Sequence, residues 1–127
     1  MKKIISTELA PKAIGPYSQA ISANGFLFIS GQGAINPQTN TYEPMSIEKE
    51  TEQALKNLKA ILEAGGSNLS QVVKTTVFLK DMKEFPLMNK IYMEYFPEIP
   101  PARSAIEASN LPKGFKVEIE AIALISN

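Results

Sequence analysis

An α+β domain, or a mixed-sheet α/β arrangement, is what the pattern of this chain predicts, and three observations carry it. Short β-branched and aromatic runs alternate with two stretches of helical spacing. No linker, low-complexity tract or internal repeat divides the 127 residues, so one domain spanning 1–127 is expected. Apolar residues make up 44% of the chain, enough to pack a single core.

The elements follow in order. Residues 18–23 and 26–30 read as a hairpin, with Asn24-Gly25 supplying a turn whose central residues need positive φ. Ser30-Gly31-Gln32-Gly33 ends the second strand, and residues 36–40 carry turn chemistry. Ser46 predicts the N-cap of a first helix, with Glu48, Glu50 and Glu52 near its positive end. Ile47, Thr51, Ala54, Leu55, Leu58, Ile61 and Leu62 keep helical spacing until Gly65-Gly66 stops it. A strand is expected over 72–79. Asp81 and Glu84 have capping-box spacing ahead of a second helix that tolerates Pro86 near its start and runs to about Phe96. The last two strands are predicted over 102–108 and 116–125.

Strand alternation bears on assembly. In the last strand Val117, Ile119, Ala121, Ala123 and Ile125 share one face, while the other carries Glu118, Glu120, Ile122 and Leu124. Phe28 likewise opposes Leu27 and Ile29. Two helices shield only one side of such a sheet, and an open apolar face is a liability in water. An oligomer in which a second copy covers that face is expected.

Composition excludes many function classes. Without His or Cys, the chain has no imidazole base, thiolate nucleophile, disulfide or thiolate zinc site. A single Asp and scattered Glu make no calcium or magnesium loop, so neither metal nor cofactor is expected. A net charge of zero argues against nucleic acid as a main partner. After Met1-Lys2-Lys3 only Ile4 and Ile5 are apolar, so no signal peptide, membrane span or membrane partner is expected and cytoplasmic residence is the default.

Against twelve lysines there is one arginine, Arg103, preceded by Pro100, Pro101 and Ala102 and followed by small residues. A planar guanidinium grips a carboxylate through two parallel hydrogen bonds, which an ammonium cannot do. The competing reading is a surface ion pair with a glutamate, worth little. Three other places carry polar groups that look deliberate: Tyr17 after Gly15-Pro16, Ser30-Gly31 at a strand end, and Glu118 with Glu120 on one strand face. Taken singly, Tyr17 reads as a core aromatic, Ser30-Gly31 as a turn, the glutamates as a solvated face and Asn89 as a helix surface residue. Gly31-x-Gly33 lacks the third glycine and following helix of a dinucleotide fingerprint.

Together the segments IGPYSQA, FISGQ, VVKTTVFLKDMKEFPLMN, PPARS and LPKGFKVEIEAIA occur in an order and spacing that spans nearly the entire chain. This closely resembles the RidA/YjgF family of reactive-intermediate (enamine/imine) deaminases. The resemblance implies a chorismate-mutase-like α+β fold with two helices on one face of a mixed sheet. It implies a homotrimeric barrel with sites in clefts between subunits. Arg103 would clamp the substrate carboxylate and Glu118 would orient water. Tyr17, Ser30, Gly31, Asn89 and Ala105 would line the pocket. Many relatives carry cysteine where this chain has Ala105, so the implied role there is confined to its backbone.

The implied substrates are small 2-imino acids such as 2-iminopropanoate and 2-iminobutanoate, converted to 2-keto acids and ammonia. An iminium carbon is already electrophilic, so a chain without His or Cys suffices. Two other classes remain: a regulatory protein that binds small carboxylates without turnover, and a translation inhibitor or endoribonuclease. RNA cleavage without His, metal ligands or a basic groove has little physical support. A chorismate mutase would need a second arginine for its dicarboxylate.

Overall fold

In a computed structural model, which describes residues 1–126, the chain forms one six-stranded sheet with two helices on one face. The strands are β1 (Lys3–Ile5), β2 (Ala20–Ala23), β3 (Phe26–Gln32), β4 (Val72–Leu79), β5 (Ala102–Glu107) and β6 (Val117–Leu124). The helices are α1 (Ile47–Ala64) and α2 (Phe85–Tyr95). The sheet order is β1-β2-β3-β6-β4-β5; β4 and β5 run parallel, joined through α2, and every other pair is antiparallel. This is the α+β, chorismate-mutase-like architecture expected.

Local chemistry explains the elements. Asn24 (φ 53°) and Gly25 (φ 83°) both sit in the left-handed region, as a two-residue hairpin turn between β2 and β3 requires. Ser46 caps α1 by accepting from the Lys49 N–H at 3.2 Å. The helix ends where the Gly65 N–H reaches back to the Ile61 carbonyl at 3.0 Å. The side chains of Leu55, Leu58, Ile61 and Leu62 are fully buried, each contributing about 1.5–3 kcal/mol relative to exposure. They face Leu27, Ile29, Val77, Val117, Ile119, Ala121 and Ala123 from the sheet.

Three details depart from the sequence expectation. β1 was not anticipated: two isoleucines after charged residues give too short a signal, and pairing with β2 (Ile4 opposite Ile21) makes the strand. β3 extends two residues past Ser30 because a bulge, not a turn, accommodates Ser30-Gly31. Asp81 caps a separate 3-10 turn, Met82–Glu84, accepting from the Lys83 N–H at 2.9 Å. α2 then starts at Phe85 with Pro86 in its first turn and no side-chain cap.

The second face of the sheet is open in the single chain. Phe28, Ile106 and Leu124 are each more than 40% exposed there, beside Ile122, Lys74, Thr76 and Glu120. Among the described residues no helix is long and apolar enough to cross a membrane.

Candidate functional site

Arg103 leaves β5 on the helix-covered side, opposite Thr75 of β4. Its guanidinium carbon lies 4.7 Å from the Tyr92 ring centroid and 5.2 Å from that of Phe85. Nη1 donates to Asn89 Oδ1 at 2.7 Å. Phe85, Asn89 and Tyr92 are three, four and seven residues apart on α2, so one helical face delivers all three to the cation. Two aromatic faces and an amide fix the plane of the guanidinium. Among the described residues no carboxylate lies within ion-pair distance of it; the ion pair formed is Lys56 with Glu52, elsewhere on α1. The surface ion-pair reading of Arg103 is therefore set aside. Its side chain opens onto a cavity of about 510 Å³ lined by Asn89, Met93, Phe96 and Pro101.

Tyr92 is itself anchored. Its hydroxyl and that of Thr75, fully buried in the sheet, lie 2.7 Å apart. Burial raises the Tyr92 hydroxyl pKa above the ordinary tyrosine value, against smaller lowering contributions from the Thr75 hydrogen bond and Arg103. Tyr92 thus stays a neutral aromatic face for the cation.

Glu118 stands on the other face of the sheet. It alternates with the buried Val117 and Ile119, and pairs with Phe78 of β4. Between Ile29↔Ala121 and Gln32↔Ile119, β3 advances three residues while β6 advances two, so Ser30-Gly31 bulges. A Cβ at Gly31 would come within 2.8 Å of Glu118 Cδ and nearer still to Oε2. The carboxylate occupies the space glycine leaves. Burial, and secondarily the like charge of Glu120, raise the Glu118 pKa above the ordinary carboxylate value.

A cavity of about 630 Å³ gathers Glu118 with Tyr17, Ser30, Gly31, Lys113 and Phe115. Tyr17 is 53% exposed, so it is a pocket-lining side chain and not the core aromatic it resembles in isolation. It follows Gly15 (φ 125°) in a tight turn closed by the Tyr17 N–H on the Gly15 carbonyl at 2.9 Å. The Ser30 hydroxyl donates to the Ser18 carbonyl at 2.6 Å, which leaves its oxygen as an acceptor toward the cavity. Gln19, buried beneath this wall, donates to the Pro11 carbonyl at 2.7 Å and accepts from the Thr7 N–H at 2.7 Å, tying down residues 7–11. Ala105 lies two residues along β5 from Arg103 on the same face, half-buried against the core.

The structure therefore brings the seven sequence candidates into two groups. Arg103, Asn89 and Ala105 lie on the helix side near the β5 edge. Tyr17, Ser30, Gly31 and Glu118 line a cavity on the opposite face. Phe85, Tyr92, Thr75 and Gln19 were missed by sequence reasoning. The helical spacing of Phe85, Asn89 and Tyr92 was a usable signal for the first two; nothing in the sequence pairs Thr75 with Tyr92. Among the described residues no three His, Cys, Asp or Glu side chains are grouped to hold a metal ion.

The model of the family described as endoribonuclease L-PSP matches residues 7–125. A RutC family protein of Pyrococcus horikoshii is 57% identical, covering 97% of this chain and 98% of the relative. A mouse 2-iminobutanoate/2-iminopropanoate deaminase is 48% identical, covering 98% of this chain and 92% of the relative. The crystal structure of Escherichia coli TdcF with bound serine superposes with a TM-score of 0.92 at 39% identity, covering 98% of this chain and 99% of that one. The chain belongs to the endoribonuclease L-PSP family, the RidA/YjgF proteins.

Proposed function

We propose that this protein hydrolyses small 2-imino acids, such as 2-iminopropanoate and 2-iminobutanoate, to 2-keto acids and ammonia in the cytoplasm. The observation that carries the reading is Arg103: a guanidinium held in plane by Phe85, Tyr92 and Asn89, beside a cavity, with no carboxylate of its own. A cation immobilised that way without an internal counter-ion suits a ligand's carboxylate. The relative named as an imine deaminase and the one holding serine, an amino acid, support the same ligand chemistry.

The site is completed by a second copy. Arg103 and Glu118 lie on opposite faces of one sheet, so one chain cannot direct both at one small substrate. The apolar face around Phe28, Ile122 and Leu124 supplies the surface on which copies meet. A homotrimer sets the Arg103 group of one copy beside the Glu118 cavity of the next.

The chemistry balances with these groups alone. The enamine tautomerises to the imine, which takes up a proton at nitrogen to give the iminium; water adds its oxygen to the C=N carbon and loses a proton. The carbinolamine nitrogen takes up a proton and leaves as ammonia while the hydroxyl oxygen loses its own proton, and the C–O bond becomes the keto carbonyl. Arg103 fixes the carboxylate. Glu118, with its raised pKa, accepts the hydrogen bond of the attacking water and is placed to take its proton. The Ser30 oxygen and the Tyr17 hydroxyl hold the iminium and carbinolamine polar groups, and the backbone at Ala105 lines the carboxylate end. Proximity supplies much of the acceleration, since the electrophile needs no further activation.

The test is a coupled assay in which a dehydratase generates imine from serine or threonine in the presence of a trapping amine. Faster keto acid release and less trapped imine are expected when this protein is added. Binding of keto acid without any acceleration would replace the reading with that of a non-catalytic carboxylate-binding regulator. RNA cleavage surviving rigorous nuclease removal would favour the activity in the family's name.

A further inference from the structure

Glu50 is a fully buried carboxylate that the proposed reaction does not use. It lies in the first turn of α1, and among the described residues no ion pair compensates its charge. Burying a carboxylate is costly unless its lone pairs are filled. Here three of about four acceptor sites are filled: Oε2 accepts from the Tyr42 hydroxyl at 2.8 Å and the Met45 N–H at 3.0 Å, and Oε1 accepts from the Lys116 N–H at 3.1 Å.

Those donors come from two segments that nothing in the sheet joins. Tyr42 and Met45 belong to the approach to α1; Lys116 directly precedes β6, two residues before Glu118. The same junction is packed as well as bonded. Tyr42 meets Phe115 edge-on with centroids 4.9 Å apart, and its hydroxyl lies 3.3 Å from the Gly114 carbonyl oxygen. Phe115 covers Gly33 so closely that a Cβ there would come within 2.8 Å of Cγ. Phe115, Lys113 and Pro112 form one wall of the cavity that contains Glu118.

We propose that Glu50 is a positioning residue for Glu118: its carboxylate clamps the start of β6 and the 112–116 wall to α1, which sets where the Glu118 side chain meets Gly31. The role rests on the imine deaminase reading for its effect on rate, but not for its effect on Glu118. An ionised carboxylate is an acceptor at every lone pair, matching three donors. Glutamine of the same shape would turn an NH₂ against a donating N–H or O–H, and the strand entry would have to shift. A displacement on the order of 1 Å near reacting groups costs up to about a hundredfold in rate.

The test uses the full chain with Glu50→Gln, with Glu52→Gln as a control in which a half-exposed carboxylate of the same helix, paired with Lys56, is lost. Two quantities are read: the Glu118 carboxyl titration by ¹³C NMR, and kcat and KM for imine hydrolysis. The other titratable groups lining the Glu118 cavity (Glu120, Tyr17, Lys12 and Lys113) are common to all variants. In Glu50→Gln the Glu118 midpoint should fall toward the ordinary carboxylate value as the side chain leaves its half-buried seat. kcat should fall roughly ten- to a hundredfold, with KM held within about twofold because the Arg103 that grips the substrate carboxylate comes from the neighbouring copy. Glu52→Gln should change neither. An unchanged Glu118 midpoint in folded Glu50→Gln overturns the proposal, whatever the loss in Tm. Should Glu50→Gln not fold, Tyr42→Phe keeps the ring and removes one donor, and a shift of the same sign but smaller size is required. Absence of imine hydrolysis in the unmodified protein would defeat the deaminase reading alone, since the titration still decides the role of Glu50.

Discussion

The hydroxyls of Thr75 and Tyr92 meet at 2.7 Å beneath the guanidinium of Arg103, in a place where neither has water as an alternative. Removing one partner strands the other, which costs about 1–3 kcal/mol, whereas removing both is far cheaper. Thr75→Val should therefore destabilise the protein by that amount in urea titration. Adding Tyr92→Phe to it should recover most of the loss, and additive losses would contradict the pairing.

Arg103→Lys keeps the charge but not the plane. Lysine cannot present two parallel donors to a carboxylate while lying between the Phe85 and Tyr92 rings. With charged hydrogen bonds contributing about 1.5–3 kcal/mol, kcat/KM should drop on the order of ten- to a hundredfold with Tm nearly unchanged. Rates near those of the unmodified protein would mean that Arg103 does not hold the substrate.

Gly31→Ala places a methyl where the Glu118 carboxylate lies, within 2.8 Å of its Cδ. Over-packing of this kind costs about 1–3 kcal/mol, and the exposed side of Glu118 lets it swing out instead. Keto acid should still bind, as measured by calorimetry, while turnover collapses. Equal loss of both would place the substrate carboxylate on this face of the sheet.

The pH profile should carry the signature of Glu118. Its pKa is raised by burial and then by Glu120, so the ionised form that accepts a proton from water is populated at higher pH than in an ordinary carboxylate. The acid limb of kcat should lie correspondingly higher, and Glu120→Gln should move it down. The stability consequence has the opposite sense to a salt-bridged carboxylate: the folded state binds this proton more tightly than the unfolded chain does. The contribution of Glu118 to stability is therefore present below the unfolded pKa and declines as pH rises through the folded one. A limb unmoved by Glu120→Gln would show that another group titrates.

Arg103 and Glu118 on opposite faces make a shared site testable by mixing. Arg103→Ala and Glu118→Gln proteins, each inactive alone, should regain activity when unfolded together and refolded. Random assortment restores about a quarter of the sites in a cyclic assembly. Sedimentation should report a trimer. No recovery from a mixture that does form mixed trimers would put both residues of each site on one chain.

Much of this molecule is readable from its residues. Asn24-Gly25 specifies a hairpin because few other pairs adopt two successive left-handed conformations, and the stripe from Ile47 to Leu62 specifies α1 because its spacing admits one buried face. The alternation in β6 announces which side of the sheet lacks cover. Arg103 stood out as a candidate by its rarity and its prolines. Of its partners only Asn89 was marked, through the family resemblance. Phe85, Asn89 and Tyr92 reach it through the α2 crossover, and Thr75 meets Tyr92 across seventeen residues.

What the sequence by itself determined is local: element types, buried faces, and the motifs that mark the family. Only the tertiary structure decided that Glu50, read as one acidic residue among three at a helix start, is buried against β6, and that Ser30-Gly31 is a bulge seating Glu118. The reason is physical. Helix and strand periodicities arise from interactions between near neighbours, whereas a carboxylate's burial or a guanidinium's stacking depends on segments brought together only when the whole sheet closes. Such contacts leave no period for the chain to display.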